Sequence, residues 1–376
     1  MTIDDNFDQE RLFFLFSEMG RAGTESAKSE LARAFLNMAQ FHNLPPIDYL
    51  SKLERDPSWR LKLWDQVILK REDSFFRYPE TFEVAGELIS EWGVLAPTKK
   101  LTAVILGAGR GFTAASLAVE IARQGFLIKA WETEIHTFEL SPLAVKAAKT
   151  NAFSKEDIIH LDEGLLRRYL SLTRGEYHLK DGIKKLIHCS VGDPLAKDQD
   201  NSLSDFQGKA DILLARGFYR DLPDHKIDEF SSCVESLLSE GGLAFLAPGE
   251  VFVPGGKLSL EERRGVFYFR RGESKRRANN FFSPKKMKNQ KGVEKSPPPS
   301  PRLDQIRKSA LMTLPTNPKA AKDFALEAIT SAQSESGSFS PLDYKVLAQA
   351  EEALGRPEIA KRILELVNLF TKENKA

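Results

Sequence analysis

The chain reads as an α/β protein with a small all-helical unit ahead of a mostly parallel sheet and a helical tail behind it. Two changes of hydrophobic period and one loss of period predict this. Apolar residues recur at helical spacing over residues 7–64, then gather from residue 101 in short runs separated by helical stretches. After residue 271 the pattern stops, and it resumes near residue 303 as amphipathic helices. Short apolar runs alternating with helix signals indicate parallel strands whose crossover helices cover both faces of the sheet.

In the first unit, residues 1–74, Leu12, Phe13, Phe16 and Met19, then Leu31, Phe35 and Met38, then Tyr49, Leu50 and Leu53 mark apolar helix faces. Glycines at 20 and 23 and the stretch Asn43-Leu-Pro-Pro46 interrupt them, so three or four short helices are expected. The second unit, residues 75–271, carries strand signals at 101–106, 135–140, 186–191, 212–215 and 243–247, with helices expected at 113–124, 141–149 and 224–238. Residues 272–302 are rich in Lys, Arg, Asn and Ser and contain Ser296-Pro-Pro-Pro-Ser-Pro301, too little apolar area to offset the entropy of ordering, and read as a linker. The last unit, 303–376, should hold helices over 303–333 and 342–371.

Lys plus Arg number 54 and Asp plus Glu 53 in 376 residues, a formal charge of +1. Residues 270–302 alone carry +9, so the remainder is mildly acidic. A basic strip confined to a linker is not the basic folded face of a nucleic-acid-binding protein. It suits a solvated spacer or weak contact with an acidic partner or membrane surface. Two distant cysteines, Cys189 and Cys233, exclude a disulfide scaffold and a Cys-rich metal site and fit a reducing compartment. The acidic start Met1-Thr-Ile-Asp-Asp lacks secretory features, and no apolar run approaches the ~20 residues of a membrane span. A cytoplasmic protein without membrane insertion and without a metal is expected.

Val104-Ile-Leu-Gly107-Ala-Gly109-Arg-Gly111 is a strand, a glycine loop and then a helix start. Such a loop lets a ligand approach the backbone beside free helix N–H groups, which points to nucleotide-type binding at Gly107, Gly109 and Gly111. A carboxylate at the end of the next strand would accept from ribose hydroxyls. Glu139 stands there, where Ser141-Pro142 opens a helix as N-cap and first residue. Asp193, in Val191-Gly-Asp193-Pro-Leu, ends the third strand and is either an adenine-edge acceptor or a turn-forming Asp-Pro. Arg216 ends the fourth, at the carboxyl edge where α/β proteins bind ligands.

The order of these signals resembles the CheR-type protein-glutamate methyltransferases, which modify bacterial chemoreceptors using S-adenosylmethionine. Over residues 27–271, Glu72-Asp-Ser-Phe75-Phe76-Arg77 resembles the family's Thr-x-Phe-Phe-Arg-Asp. Gly109-Arg-Gly111-Phe-Thr-Ala-Ala-Ser116-Leu-Ala118 lies where the family has Ser-Thr-Gly-Glu-Glu-Pro-Tyr-Ser-Leu-Ala, and Glu139-Leu-Ser141 matches Asp-Ile-Ser. Leu165-Leu-Arg-Arg-Tyr169 with Gly175-Glu-Tyr177 follows its small β-subdomain, and Ala215-Arg216-Gly-Phe resembles Cys-Arg-Asn-Val. Gly241-Gly242-Leu and Gly249-Glu250 resemble its Pro-Gly-Gly-x-Leu and Ser-Glu. In the tail, Ala350-Glu-Glu-Ala-Leu-Gly-Arg-Pro-Glu-Ile-Ala360 resembles one tetratricopeptide unit, a shape that suits contact with a signalling partner.

The resemblance implies a Rossmann-like methyltransferase sheet with a small β-subdomain, S-adenosylmethionine as cofactor, and a chemoreceptor-like protein as methyl acceptor. It places the cofactor against Gly107, Gly109, Gly111, Thr113, Glu139, Asp193, Arg216 and Gly217, with Arg77 positioning the acceptor oxygen. The departures are equally specific. The family's Gly-Glu-Glu carboxylates fall on Phe112 and Thr113, the Asn after Arg216 is Gly217, and the adenine-edge Asn is Asp193. Its active-site Tyr falls on Asp221, with Tyr219 two residues away as a replacement. A catalytically inactive binding or scaffold module of the same fold is the alternative reading. A nicotinamide enzyme fits the strand after Gly241-Gly242 less well, and a nucleic-acid methyltransferase lacks the aromatic that base stacking would want after Asp193-Pro-Leu.

Overall fold

Polar side chains cap the first helices of the chain. In the computed structural model, Asp8 accepts from the Arg11 amide ahead of α1 (Gln9–Glu18), and Thr24 accepts from the Ala27 amide ahead of α2 (Glu25–Phe41). Helix α3 (Pro46–Arg55) starts on a proline, and Asp56 caps α4 (Pro57–Leu69) through the Ser58 amide. The structure describes residues 8–71, 73–95, 99–125, 131–159, 161–195, 202–247, 250, 257–272, 301–336, 341–355, 357, 360, 361, 363, 364 and 367. The four helices enclose Leu12, Phe16, Leu31, Phe35, Tyr49 and Leu53, apolar positions that the periodicity selects, together with Trp64.

Helix α5 (Pro79–Leu95) leads into the sheet. Its elements are β1 (Lys100–Leu106), α6 (Phe112–Arg123), β2 (Glu132–Glu139), α7 (Pro142–Thr150), β3 (Ala152–Phe153), α8 (Glu163–Tyr169), β4 (Leu170–Thr173), β5 (Glu176–Leu179), α9 (Asp181–Lys184), β6 (Ile187–Val191), β7 (Ala210–Leu214), α10 (Ile227–Leu237), β8 (Leu238–Phe245), β9 (Leu258–Arg263) and β10 (Val266–Arg271). The seven-stranded sheet runs β6-β2-β1-β7-β8-β10-β9, and β3-β5-β4 form a small antiparallel sheet of their own. The first five strands are parallel, whereas β10 pairs antiparallel with β8 and with β9. Every residue of β1 after Lys100 is buried, as a central strand covered on both faces must be. The order reverses beside β1: the chain goes to β2 on one side and returns to β7 on the other. That switch point opens a crevice above the carboxyl ends of β1 and β7.

The tail comprises α11 (Pro301–Thr313), α12 (Pro318–Ser336) and α13 (Pro341–Ala353). The single helix expected over 303–333 is therefore two. Asn317 precedes Pro318, which disfavours helical backbone at 317, and its side chain accepts from the Ala320 amide to start α12 afresh. Ala310, Ile329, Tyr344 and Leu347 form a core with the later Ala360, Ile363 and Val367. Arg307 of α11 forks onto Asp343 of α13 at 2.7 and 2.8 Å. The tail meets the sheet where Phe267 of β10 packs on Tyr344, ring centroids 5.9 Å apart. Of the expected linker, residues 273–300 lie outside the described residues.

Candidate functional site

The loop after β1 is shaped by close packing. A Cβ at Gly107 would meet the Phe218 ring at 2.8 Å, and one at Gly111 would meet the Ala148 Cβ of α7 at 2.9 Å. Gly111 therefore brings α6 against α7. Gly109, by contrast, lies with Gly107 on the wall of a cavity of about 520 Å³ at the switch point. Thr113, in the first turn of α6, and Arg216 and Gly217, after β7, line the same cavity.

Glu139 closes the end of β2 and is 4% exposed. Its Oε2 accepts from the Gly109 amide at 2.9 Å and its Oε1 from the Ser141 amide at 3.0 Å. Burial pushes its pKa above the ordinary 4.5, against the two N–H bonds and the charges of Arg21 and Arg71. Ser141 caps α7 through the Ala144 amide and donates its hydroxyl to Asp65 of α4. The helical unit is thereby tied to the strand end that carries the carboxylate.

Arg77 sits in a turn held by both neighbours. Phe76 and Tyr78 have φ of 47° and 61°, left-handed values that side chains other than glycine rarely take. The Phe76 amide donates to Ser116 Oγ of α6 at 2.8 Å, and Arg216 donates to the Arg77 carbonyl. The Arg216 guanidinium lies 5.0 Å from the Tyr78 ring centre and 4.7 Å from that of Phe82. Burial draws its pKa down to about 10, opposed chiefly by Asp73, and its buried Nε has no hydrogen-bond acceptor. Asp73 itself is pushed up by burial despite Arg77 and Arg216 nearby. Arg77, Asp73 and Arg216 all line the cavity.

Three residues expected at the site stand elsewhere or differently. Tyr219 belongs to the 3-10 turn Tyr219–Asp221 and is buried with Phe230 of α10, ring centroids 6.1 Å apart. The turn directs it into the sheet–helix core, and it is Asp221 that lines the cavity. Asp221 accepts both Arg71 Nη atoms, at 2.7 and 2.6 Å, while Arg71 Nε donates to Glu30 of α2 at 2.9 Å. Burial disfavours the Arg71 cation, but the two carboxylates outweigh this and raise its pKa. Asp193 accepts from the Leu195 amide at 3.0 Å and pairs with Arg21 at 3.5 Å, and it is not among the cavity-lining residues. Gly111 packs on α7 as described.

Sequence reasoning missed Arg21, Arg71 and the tail. Arg21 lies 4.9 Å over Phe218 and carries no periodic signal, since it follows a helix end. Arg71 immediately precedes the Glu72-Asp-Ser-Phe75-Phe76-Arg77 stretch, the one hint available. Glu250 accepts from the Ala247 and Gly217 amides at 2.8 and 3.2 Å and so fixes the loop after β7. From the tail, α12 adds Ala320, Asp323 and Glu327 to the cavity wall.

Residues 71–252 match the model of the CheR methyltransferase, SAM binding domain. The chain carries a CheR methyltransferase domain. Its cofactor is S-adenosylmethionine. No curated protein matches the chain. Solved structures similar to it include a protein from Methanococcus maripaludis described as an S-adenosyl-L-methionine-dependent methyltransferase, at 16% identity and TM-score 0.26 over 50% of this chain and 61% of that one. The rRNA methyltransferase AviRa from Streptomyces viridochromogenes is 12% identical, with TM-score 0.34 over 54% and 88%. Haemonchus contortus phosphoethanolamine N-methyltransferase 1, solved with phosphoethanolamine and S-adenosylhomocysteine, is 13% identical, with TM-score 0.26 over 52% and 34%. The chain thus spans less than two thirds of the first and third of these.

The CheR domain's own residues fit the cofactor. A buried carboxylate at the end of β2 suits ribose hydroxyls, each oxygen keeping a lone pair beyond its one N–H bond. A buried Arg216 Nε without an acceptor suits an anionic group such as a carboxylate. Thr113 offers a hydroxyl where the family offers a charge.

Proposed function

We propose that the chain is an S-adenosylmethionine-dependent methyltransferase of the CheR type whose acceptor is a glutamate side chain of a chemoreceptor-like protein. The observation that carries this reading is that Arg77, on a strained and doubly anchored turn, shares one cavity with the glycine loop and Glu139. Glu139, Gly109, Thr113, Arg216 and Gly217 would hold the cofactor, which supplies an activated methyl group on a sulfonium.

An acceptor glutamate with a pKa of about 4.3 is ionised at neutral pH, so the chemistry needs no general base. The protein's part is alignment. A guanidinium binding one or both acceptor oxygens fixes the direction of attack, and an enclosed cavity strengthens that contact by excluding water. Arg77 serves this role, and Asp73 beside it keeps the pair of arginines from being an uncompensated charge. Asp221 is held by Arg71, so it braces the wall rather than acting as an acid or base.

The same fold without catalysis is the second reading. It is favoured by Thr113, because losing a charge-assisted partner for the cofactor's amino group weakens binding. Calorimetric titration with S-adenosylhomocysteine separates the two. Wild type should bind, and Gly109→Trp and Glu139→Ala should not. No binding by wild type up to millimolar ligand would remove the enzyme reading.

A further inference from the structure

Helix α12 presents two different faces. Ala325, Ala328 and Ile329 are buried within the tail's own clusters. Ala320, Asp323 and Glu327, spaced by three, four and seven, form the stripe on the other side and line the cavity that holds Arg77 and Glu139, and Phe324 lines it while also packing against the tail's clusters. The helix also packs across α2, whose Glu30 belongs to the Arg71 and Asp221 group on the same wall. An element outside residues 71–252 therefore completes the wall, and it does so with carboxylates.

Under the reading above, the acceptor is a carboxylate that enters this cavity, and α12 brings two carboxylates to its wall. We propose that α12 is an intramolecular occupant of the acceptor entrance. Its Asp323 and Glu327 stripe takes the place of an incoming acidic segment, so transfer waits on displacement of the tail. This inference rests on the proposed transfer to glutamate. Two physical arguments support it. A tethered segment competes at an effective concentration on the order of millimolar, enough to keep a weaker protein acceptor out. The 28 residues between Gly272 and Pro301 reach at most about 100 Å when extended, so the tail can leave without being cut. The apparent affinity for an acceptor then falls in proportion to the uncovered fraction.

The test uses the full chain and a fluorescein-labelled synthetic peptide of residues 317–336 as probe. The variant Asp323→Lys/Glu327→Lys should uncover the site and bind the peptide at least tenfold more tightly than wild type. Amide hydrogen exchange in α2 should also quicken. A peptide carrying Asp323→Asn and Glu327→Gln should lose most of that binding. The near-isosteric chain variant Asp323→Asn/Glu327→Gln should move in the same direction by a smaller factor, which guards against misfolding of the charge-reversed one. Equal peptide binding by wild type and both variants, with unchanged exchange in α2, overturns the covering role. If neither wild type nor variants bind S-adenosylhomocysteine, the transfer reading fails while the peptide comparison still decides the covering role.

Discussion

At the scale of single residues, Arg77 and Glu139 carry different parts of the proposed reaction and should fail differently. Arg77→Ala should leave S-adenosylhomocysteine binding within about twofold and lower methyl transfer to receptor membranes by about 100-fold, the scale of a lost positioning contact. An unchanged rate in labelled-methyl transfer would refute its role. Glu139→Ala leaves the Gly109 and Ser141 amides without acceptors, a cost of about 1–3 kcal/mol by denaturant titration. That cost should depend on pH. The folded pKa of Glu139 lies above its ordinary 4.5, so the folded chain keeps a proton that the unfolded chain releases as pH rises through that window. Its contribution is fully present below pH 4.5 and is lost as pH rises past the folded pKa, so the stability gap between wild type and Glu139→Ala should be wider at pH 4 than at pH 8. A gap that widens with pH would contradict the raised pKa. Glu139 was legible because a strand end, a cap and a proline coincide in Glu139-Leu-Ser141-Pro142. Tyr219 was misplaced because two residues in a 3-10 turn differ by most of a revolution, which no local pattern encodes.

At the scale of elements, the helical unit meets the loop after β7 through Gly23. A Cβ there would lie 1.8 Å from the Leu222 carbonyl oxygen and 2.8 Å from Pro223 N, and the Gly23 amide donates to the Asp221 carbonyl at 2.8 Å. Gly23→Ala should therefore cost about 2–3 kcal/mol, since backbone rather than a side-chain tip must move. It should also displace Asp221 from Arg71 and weaken ligand binding, although residue 23 is not on the cavity wall. Thermal melts and the same calorimetric titration check both. The sequence showed a break at 20–23 and predicted a turn. It did not show that the turn is the seam between units, because the opposing Leu222 lies about 200 residues away and contributes no periodic signal.

At the scale of the whole molecule, the Arg307 and Asp343 fork ties α11 to α13, with the Asp343 side chain 2% exposed. Asp343→Ala removes the carboxylate from a half-buried guanidinium and should cost about 1–3 kcal/mol of tail stability, while the sheet core melts as before. Two transitions in calorimetry, the lower one shifted, are the expected result, and a single shifted transition would show that tail and sheet unfold as one. Among the described residues no helix is long and apolar enough to cross a membrane, and the acidic and basic segments remain those read from composition. What the sequence by itself determined was local: where apolar period changes from helix to strand, where glycines and prolines interrupt it, and which charged residues end strands. These follow from backbone geometry and side-chain spacing, which act over a few residues. The resemblance gathers Arg77, Thr113, Glu139 and Arg216 at one site, but which other side chains share the cavity was decided by the tertiary structure. Strand order brings the loops after β1 and β7 together, the helical unit adds Arg21 and Arg71, and α12 arrives from beyond residue 300. Such meetings depend on packing between segments far apart in the chain, and hydrophobic period says which face is buried but not against what.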